Sequence, residues 1–245
     1  MIDILRSEWT KIRSVRSTVW TLVATAVIMI GFSTLISASA QSQAERPIGT
    51  DQALAMSMIG TMFASLSMAT LGVLVISSEY RTGGIRTSLM AVPRRMRLLA
   101  GKMAVFTVTS LVVCTLTSAA ALGAGLAITQ PAITAGDVAR VALGGGLYLT
   151  ACGLFGLGLG TLIRHTPGAI VSAIALMLVL PIVAQQFPSQ WGHTVAEYVT
   201  TNAGQLVVLD LGNSSLSPWA GFGVYLVWIA VAVVSGAVLM QRRDA

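Results

Sequence analysis

Polar and apolar positions fall into long alternating blocks along the chain. Six blocks are almost purely apolar, and the first, at ~1.5 Å per helical residue, is about 33 Å long, enough to cross a hydrocarbon core. The blocks cover residues 19–40, 53–77, 100–128, 138–163, 168–183 and 219–240. The pattern therefore predicts an all-α polytopic membrane protein with six transmembrane helices in a single domain.

A different pattern occupies residues 1–17. Apolar side chains recur there at the spacing of one helix stripe, at Ile2, Leu5, Trp9 and Ile12. Basic residues fill the remaining surface, at Arg6, Lys11, Arg13 and Arg16. The combination predicts an interfacial helix lying along the membrane surface, with Trp9 at the level of the lipid headgroups. Because the stripe is short, a charged N-terminal tail is the alternative.

The triplet Ala38-Ser39-Ala40 resembles a signal-peptidase site, and the N-terminus is basic. However, the apolar core of a signal peptide has only about 7–15 residues. The first apolar block is longer and is followed by further blocks. The pattern therefore favours a retained first span over cleavage.

Residues 184–218 separate the last two predicted spans and contain no lysine or arginine. Glycine and proline interrupt this stretch, but it also holds the apolar run 205–209. We expect one or two short helices packed on the outer face of the membrane. Pro181, near the end of the fifth block, is expected to kink or end that span, and Pro218 is expected to start the sixth.

Composition and charge orient this arrangement. Charged residues make up 10% of the chain and apolar residues 55%, with a mean hydropathy of +0.80, which a soluble fold could not bury. With a cytoplasmic N-terminus, all basic residues except Arg46 and Arg140 also face the cytoplasm, so both termini are predicted to be cytoplasmic. The net charge of +6 does not indicate nucleic-acid binding, because the basic residues sit in short segments between apolar runs.

The sequence lacks the residue patterns of common catalytic, nucleotide-binding and metal-binding sites. It has no G-x-x-x-x-G-K-[ST] phosphate loop. His165 and His193 are predicted on opposite sides of the membrane, and Cys114 and Cys152 lie in apolar runs without C-x-x-C spacing. The span interiors are nearly free of ionisable groups, which argues against proton-driven transport. The sequence therefore predicts a non-catalytic chain that binds no metal or other cofactor itself.

Hydroxyl side chains and glycines are frequent inside the predicted spans. Ser57, Thr61 and Ser65 form a row at four-residue spacing on the second span. Helix–helix hydrogen bonding explains such a row, and a mildly polar lining for the path of an amphipathic cargo is the alternative. Gly156 and Gly160 form a G-x-x-x-G pair, which is typical of closely packed membrane helices.

The most informative stretch is SEYRTGGIRTSLMAVPRRMRLLAGK, residues 78–102. Two glycines break the helix after Glu79 and Arg81, while Ile85 and Leu89 can share one face of a short helix that Pro93 ends. Arginines follow just before the third span, at Arg94, Arg95 and Arg97. A small apolar face with basic flanks suits a groove on a cytosolic partner. The alternative is a set of arginines that only anchors the topology.

The chain resembles the membrane subunits of type-2 ATP-binding-cassette (ABC) exporters in this stretch and in the N-terminal SEWTKIRSVRSTVW. The six spans, the long segment before the sixth and the basic tail agree. The resemblance implies that residues 78–99 are a cytoplasmic coupling loop that touches a separate ATPase subunit. Its positions here are Glu79, Arg81, Gly84, Ile85, Arg86, Leu89, Pro93, Arg94 and Arg95. Glu79, Arg81, Arg86 and Pro93 match the family pattern best.

The resemblance also implies a function. The chain would be the permease of an exporter that moves a drug, antibiotic, lipid or peptide out of the cell, as in multidrug or antibiotic resistance. Two copies, or this chain and a related one, would pair through spans 1 and 5 in the cell membrane. They would bind two ATPase subunits, which hold the ATP and Mg, and residues 184–218 would cap the exit. A membrane scaffold, sensor or immunity protein without transport activity is the alternative.

Overall fold

The computed structural model of the protein describes residues 2–44, 46–82, 95–186, 190–209 and 214–242. Every regular element among them is a helix. Several predicted positions of the coupling loop lie outside the described residues, namely Gly84, Ile85, Arg86, Leu89, Pro93 and Arg94. Arg95 is the first residue of the helix that follows.

The N-terminal helix α1 (Ile2–Ser14) packs against the bundle, but its buried face differs from the predicted stripe. Ile4, Glu8 and Ile12 are buried, whereas Trp9 is 51% exposed. Ile4 lies against Leu98, at the start of the third span, because four-residue spacing places one side of the helix on that surface. The exposed Trp9 is free to reach the lipid headgroups.

Six helical stretches are long and apolar enough to cross a membrane. Span 1 is α2 (Arg16–Gln43), and span 2 (Thr50–Arg81) joins α3 (Thr50–Met58) to α4 (Thr61–Thr82). Span 3 is α5 (Arg95–Thr129), and span 4 is α6 (Ala135–Ile163). Span 5 (Thr166–Gln185) joins α7 (Thr166–Ile174), a π-helical turn (Ala175–Val179) and α8 (Leu180–Gln185). The short helices α9 (Gln190–Tyr198) and α10 (Thr200–Gln205) precede span 6, which is α11 (Pro218–Arg242). These helices confirm the predicted all-α membrane fold.

Span 4 forms the centre of the bundle, with 78% of its most apolar window buried. Its glycines allow other backbones to approach closely, as is common between membrane helices. A Cβ atom added to Gly156 would fall 2.0 Å from the carbonyl oxygen of Ala69, and one added to Gly72 would fall 1.8 Å from that of Gly153. Gly160 likewise faces Val73 and Ile76. Spans 2 and 4 therefore cross backbone to backbone.

Span 5 is irregular around Pro181. Proline has no amide hydrogen to donate to the carbonyl one turn earlier, on Met177. A π-helical turn, Ala175–Val179, precedes the proline. The hydroxyl of Thr201 donates to the Met177 carbonyl at 2.7 Å, and that of Thr200 donates to the Leu176 carbonyl at 2.7 Å. Helix α10 therefore satisfies carbonyl groups at the distorted turn of span 5.

Candidate functional site at the basic end of the bundle

Four charged side chains form a closed ring at the end of the bundle where α1 lies, which we call the basic end. The Lys102 ammonium contacts Glu8 Oε2 at 2.6 Å and Glu79 Oε1 at 2.9 Å. The Lys11 ammonium contacts Glu8 Oε1 at 2.7 Å and Glu79 Oε1 at 2.8 Å. This charge ring joins α1, the end of span 2 and the start of span 3.

Burial makes the charge ring energetically important. The side chains of Lys102 and Glu8 are each 3% exposed, and that of Glu79 is 12% exposed. An isolated charge so far from water would be strongly unfavourable, so the buried Lys102 ammonium needs its carboxylates. With two positive and two negative groups the ring is neutral. Removal of one member of a buried pair typically costs about 3–5 kcal/mol, because the other charge stays behind.

Lys11 is the most exposed member of the charge ring, at 40% of its side chain. Its partial burial acts to lower the pKa of the ammonium. Hydrogen bonds to Glu79 and Glu8 and the charges of both carboxylates outweigh that effect, and the pKa is raised above its ordinary value. Lys11 is therefore held in its charged form by the ring.

The last turn of span 2 also contacts the spans on its other side. The Tyr80 ring lies 5.0 Å below the guanidinium of Arg164, which caps span 4 in a left-handed conformation with φ 58°. Arg164 Nη2 donates to the Leu239 carbonyl of span 6 at 3.3 Å. Thr166 Oγ1, at the start of span 5, donates to Ser77 Oγ at 2.9 Å. The last turn of span 2 thus contacts α1 and spans 3, 4 and 5 through Ser77, Glu79 and Tyr80. We call these three residues the span 2 junction.

The opposite end of the bundle, which we call the far end, contains a cleft of about 220 Å³ between spans 2, 4 and 5 and helix α10. Its lining is half polar and half apolar. The polar side chains are Ser65, Tyr148, Gln185, Thr201, Asn202 and Gln205. The apolar side chains are Met62, Leu66, Met177, Leu178, Pro181 and Ile182.

The predicted interfacial residues occupy different positions. Trp9 and Arg13 are exposed on α1, whereas Lys11 belongs to the charge ring. Arg16 is the first residue of span 1 instead of part of the interfacial helix, because α1 ends at Ser14.

Of the predicted coupling-loop positions within the described residues, Glu79 is in the charge ring and Arg81 is exposed. Ser57, Thr61 and Ser65 are all buried, but only Ser65 lines the far-end cleft. Ser57 faces Gly125 of span 3, as expected of a helix-packing hydroxyl. The predicted row is interrupted because span 2 breaks between α3 and α4.

Sequence reasoning missed Glu8 and Lys102 as site residues. A signal was available for Lys102, since it follows Leu98, Leu99 and Gly101 inside an otherwise apolar stretch. A lysine in such a helix needs a carboxylate partner. Glu8 and Glu79 are acidic residues predicted near the same membrane face, and the spacing of Glu8 and Lys11 places them on one side of α1.

The other residues with reactive side chains have structural surroundings. His165 Nδ1 accepts a hydrogen bond from the Gly168 amide at 3.2 Å and so caps α7. Cys114 and Cys152 are buried free thiols. Within the described residues, no three histidine, cysteine or carboxylate side chains come close enough together to hold a metal ion.

A family profile described as "ABC-2 family transporter protein" matches residues 4–187. This match covers α1, spans 1 to 5 and the whole segment that contains the charge ring. No curated protein is similar enough in sequence to be matched to the chain.

Proposed function

The chain belongs to the ABC-2 family of transporter proteins, and on that premise we propose that it is the permease subunit of an ABC exporter. Its cargo is a hydrophobic or amphipathic molecule that leaves the cell. ATP, with its Mg, is bound and hydrolysed by a separate ATPase subunit. The chain supplies the membrane path and the surface through which the ATPase moves it.

The observation that carries this proposal is the position of the span 2 junction. Segment 83–94 follows it directly in sequence, and span 3, with Lys102 in the charge ring, begins just after that segment. A partner that binds segment 83–94 would therefore act on two helices already joined to each other and to α1. The attachment of α1 includes the ion pair between Glu79 of span 2 and Lys11 of α1. Such an arrangement suits transmission of a movement from outside the membrane into the bundle.

The mechanism we propose follows from these connections. ATP binding closes two ATPase subunits, which draws together the coupling loops of two permease chains. Each loop moves spans 2 and 3 with α1, and the span 2 junction carries the movement to spans 4 and 5. The far end then opens and releases cargo, and ATP hydrolysis resets the complex. In this scheme the basic end and both termini are cytoplasmic, as the sorting of basic residues predicts.

Co-expression with the nearest-encoded ABC ATPase tests the proposal. Arg86→Glu reverses one positive charge in the coupling loop and should abolish co-purification and transport-coupled ATP hydrolysis. Arg140→Glu is the matched control, because Arg140 is an exposed arginine at the far end. Equal retention of the ATPase by both variants would contradict the assigned docking loop. A chain that binds no ABC ATPase at all would support the scaffold or immunity alternative.

Labelling at Arg81 tests the orientation. Arg81→Cys places a thiol on an exposed residue at the basic end, while the native Cys114 and Cys152 are buried. A membrane-impermeant maleimide should label it in inside-out vesicles and not in intact cells. Labelling in intact cells alone would place the coupling loop outside and rule out ATPase docking there.

A further inference from the structure

Helix α1 has a second surface besides the one that contacts the bundle. Its buried face is tied to spans 2 and 3 by the charge ring, through Glu8 and Lys11. Arg6, Trp9 and Arg13 are all exposed, and their spacing of three and four residues places them along one strip of the helix. This strip of α1 is therefore available to a partner while the buried face holds the helix in place.

The start of span 1 has an exposed stripe of similar composition. Its members recur at helical spacing and are all exposed, namely Arg16, Trp20, Val23 and Val27. Trp20 is 70% exposed and lies about 6 Å further along the helix than Arg16, at ~1.5 Å per residue. The stripe thus passes from an arginine through a tryptophan to valines, as is typical of a helix that enters a membrane through the headgroup layer.

The two tryptophans indicate the depth at which the arginines lie. Tryptophan side chains favour the boundary between lipid headgroups and acyl chains. Trp9 lies between Arg6 and Arg13 in the strip, and Trp20 follows one turn after Arg16. The three guanidinium groups are therefore expected at the level of the lipid phosphates. An acidic partner protein would explain the arginines but not Trp20, whose stripe continues into the apolar surface of span 1.

The charge of these arginines is not neutralised by the carboxylates described near them. Within the described residues none of the three forms an ion pair, in contrast to Lys11 and Lys102. Glu8 and Glu79 are already committed to the charge ring. A guanidinium group suits phosphate because two of its N–H groups can donate to it at once. The positive charge of this surface therefore complements an anionic phospholipid.

We propose that Arg6, Arg13 and Arg16, with Trp9 and Trp20, form a binding surface for the phosphate headgroups of anionic phospholipids. We call these five residues the arginine surface. Because the charge ring fixes α1 to spans 2 and 3, lipids bound there are attached to the unit that carries the coupling loop. This inference goes beyond the proposed function, and only the identity of the lipid leaflet as the cytoplasmic one rests on it.

Lipid titration of the purified chain tests the proposal. The chain in dodecyl maltoside micelles is titrated with phosphatidylglycerol or with phosphatidylcholine, and bound lipids are counted by native mass spectrometry. We expect the native chain to bind phosphatidylglycerol more tightly. Replacing Arg6 and Arg13 together by glutamine should weaken the tightest phosphatidylglycerol binding by about 25-fold, since each basic residue near anionic lipid contributes about fivefold. The affinity for phosphatidylcholine should not change.

Two control variants separate the effect of charge from other effects of substitution. The double variant Arg6→Lys with Arg13→Lys keeps both charges and should retain most of the preference for phosphatidylglycerol. Arg140→Gln removes an exposed arginine at the far end and should leave the preference unchanged. Because Arg6 and Arg13 are exposed, the glutamine variant should keep the native thermal midpoint in micelles without phosphatidylglycerol.

Equal affinity of the native chain for the two lipids would overturn the proposal, as would equal losses in the glutamine variant and in Arg140→Gln. Displacement of phosphatidylglycerol by an equal concentration of glycerol 1-phosphate would identify a soluble phosphate as the ligand and overturn the lipid assignment. Loss of ATPase association with unchanged lipid binding would assign the arginine surface to the partner protein. The lipid measurement needs no ATPase, so its failure is distinguishable from failure of the exporter assignment.

Discussion

The basic end and the far end of the bundle are held together by different chemistry. At the basic end, Glu8, Lys11, Glu79 and Lys102 join three elements through four ion pairs of 2.6–2.9 Å. At the far end, α10 is tied to span 5 by neutral hydrogen bonds from Thr200 and Thr201 to backbone carbonyls. Breaking a buried ion pair costs about 3–5 kcal/mol, whereas one neutral hydrogen bond contributes about 0.5–1.5 kcal/mol.

This difference assigns different mechanical roles to the two ends. The basic end should move as one rigid unit, because separating α1 from spans 2 and 3 would expose uncompensated charges. The far end can change its contacts at a lower cost, since each neutral bond can be replaced by one to water or cargo. Movement that begins at the basic end would therefore produce rearrangement at the far end.

The largest expected effect comes from breaking the charge ring. Lys102→Met leaves the buried Glu8 and Glu79 with one shared partner, so the free energy of unfolding should fall by about 3–5 kcal/mol. Denaturation of the purified chain in mixed micelles measures this change. Adding Glu8→Gln should recover part of the loss, because it removes one uncompensated charge. A fully stable single variant would contradict the importance of the ring.

A smaller loss is expected at the far end. Thr201→Val keeps the side-chain shape but leaves the Met177 carbonyl without the hydroxyl that replaces the missing Pro181 amide. Unfolding free energy should fall by about 0.5–1.5 kcal/mol in the same denaturation assay. Thr161→Val is the matched control, since the buried Thr161 bonds to the Leu157 carbonyl within its own helix. Equal effects in both variants would show that α10 contributes no special support to span 5.

The smallest expected effect is a change with pH in the stability that Lys11 contributes, and this change occurs only at alkaline pH. Because its pKa is raised in the folded chain, the stability it contributes is fully present below its unfolded pKa of about 10.5. That contribution to stability is lost as the pH rises through the higher pKa that Lys11 has in the folded chain. The difference in thermal midpoint between the native chain and Lys11→Met should therefore shrink above about pH 10.5. A difference that stays constant up to about pH 12 would exclude the ion pairs of Lys11 as its source.

The sequence predicted the helices well and their mutual contacts poorly. Apolar blocks identify spans because a membrane requires continuous apolar helices. Periodicity also predicted the N-terminal helix, but the predicted stripe (Ile2, Leu5, Trp9 and Ile12) differs from the buried face at Ile4, Glu8 and Ile12. However, the partnership of Glu8 with Lys102 depends on how two elements cross, which periodicity does not encode. Pro181 was expected to disturb span 5, yet nothing in its local sequence indicates that Thr201 compensates for it.

The predicted row of hydroxyls shows the same limit at one helix. Ser57, Thr61 and Ser65 would share a face of a regular helix, but span 2 breaks at residues 59–60. Gly60 lies close to the Met29 carbonyl of span 1, where an added Cβ would approach to 2.3 Å. This tertiary contact accompanies the break, and only Ser65 reaches the cleft.

The glycine crossing between spans 2 and 4 has a consequence for how force passes through the membrane. Most helix pairs are separated by a layer of side chains, whose rotamer changes can absorb a small displacement. At Gly72, Gly153 and Gly156 no such layer exists, because main-chain atoms lie directly against the neighbouring helix. Spans 2 and 4 must therefore move together as one rigid pair.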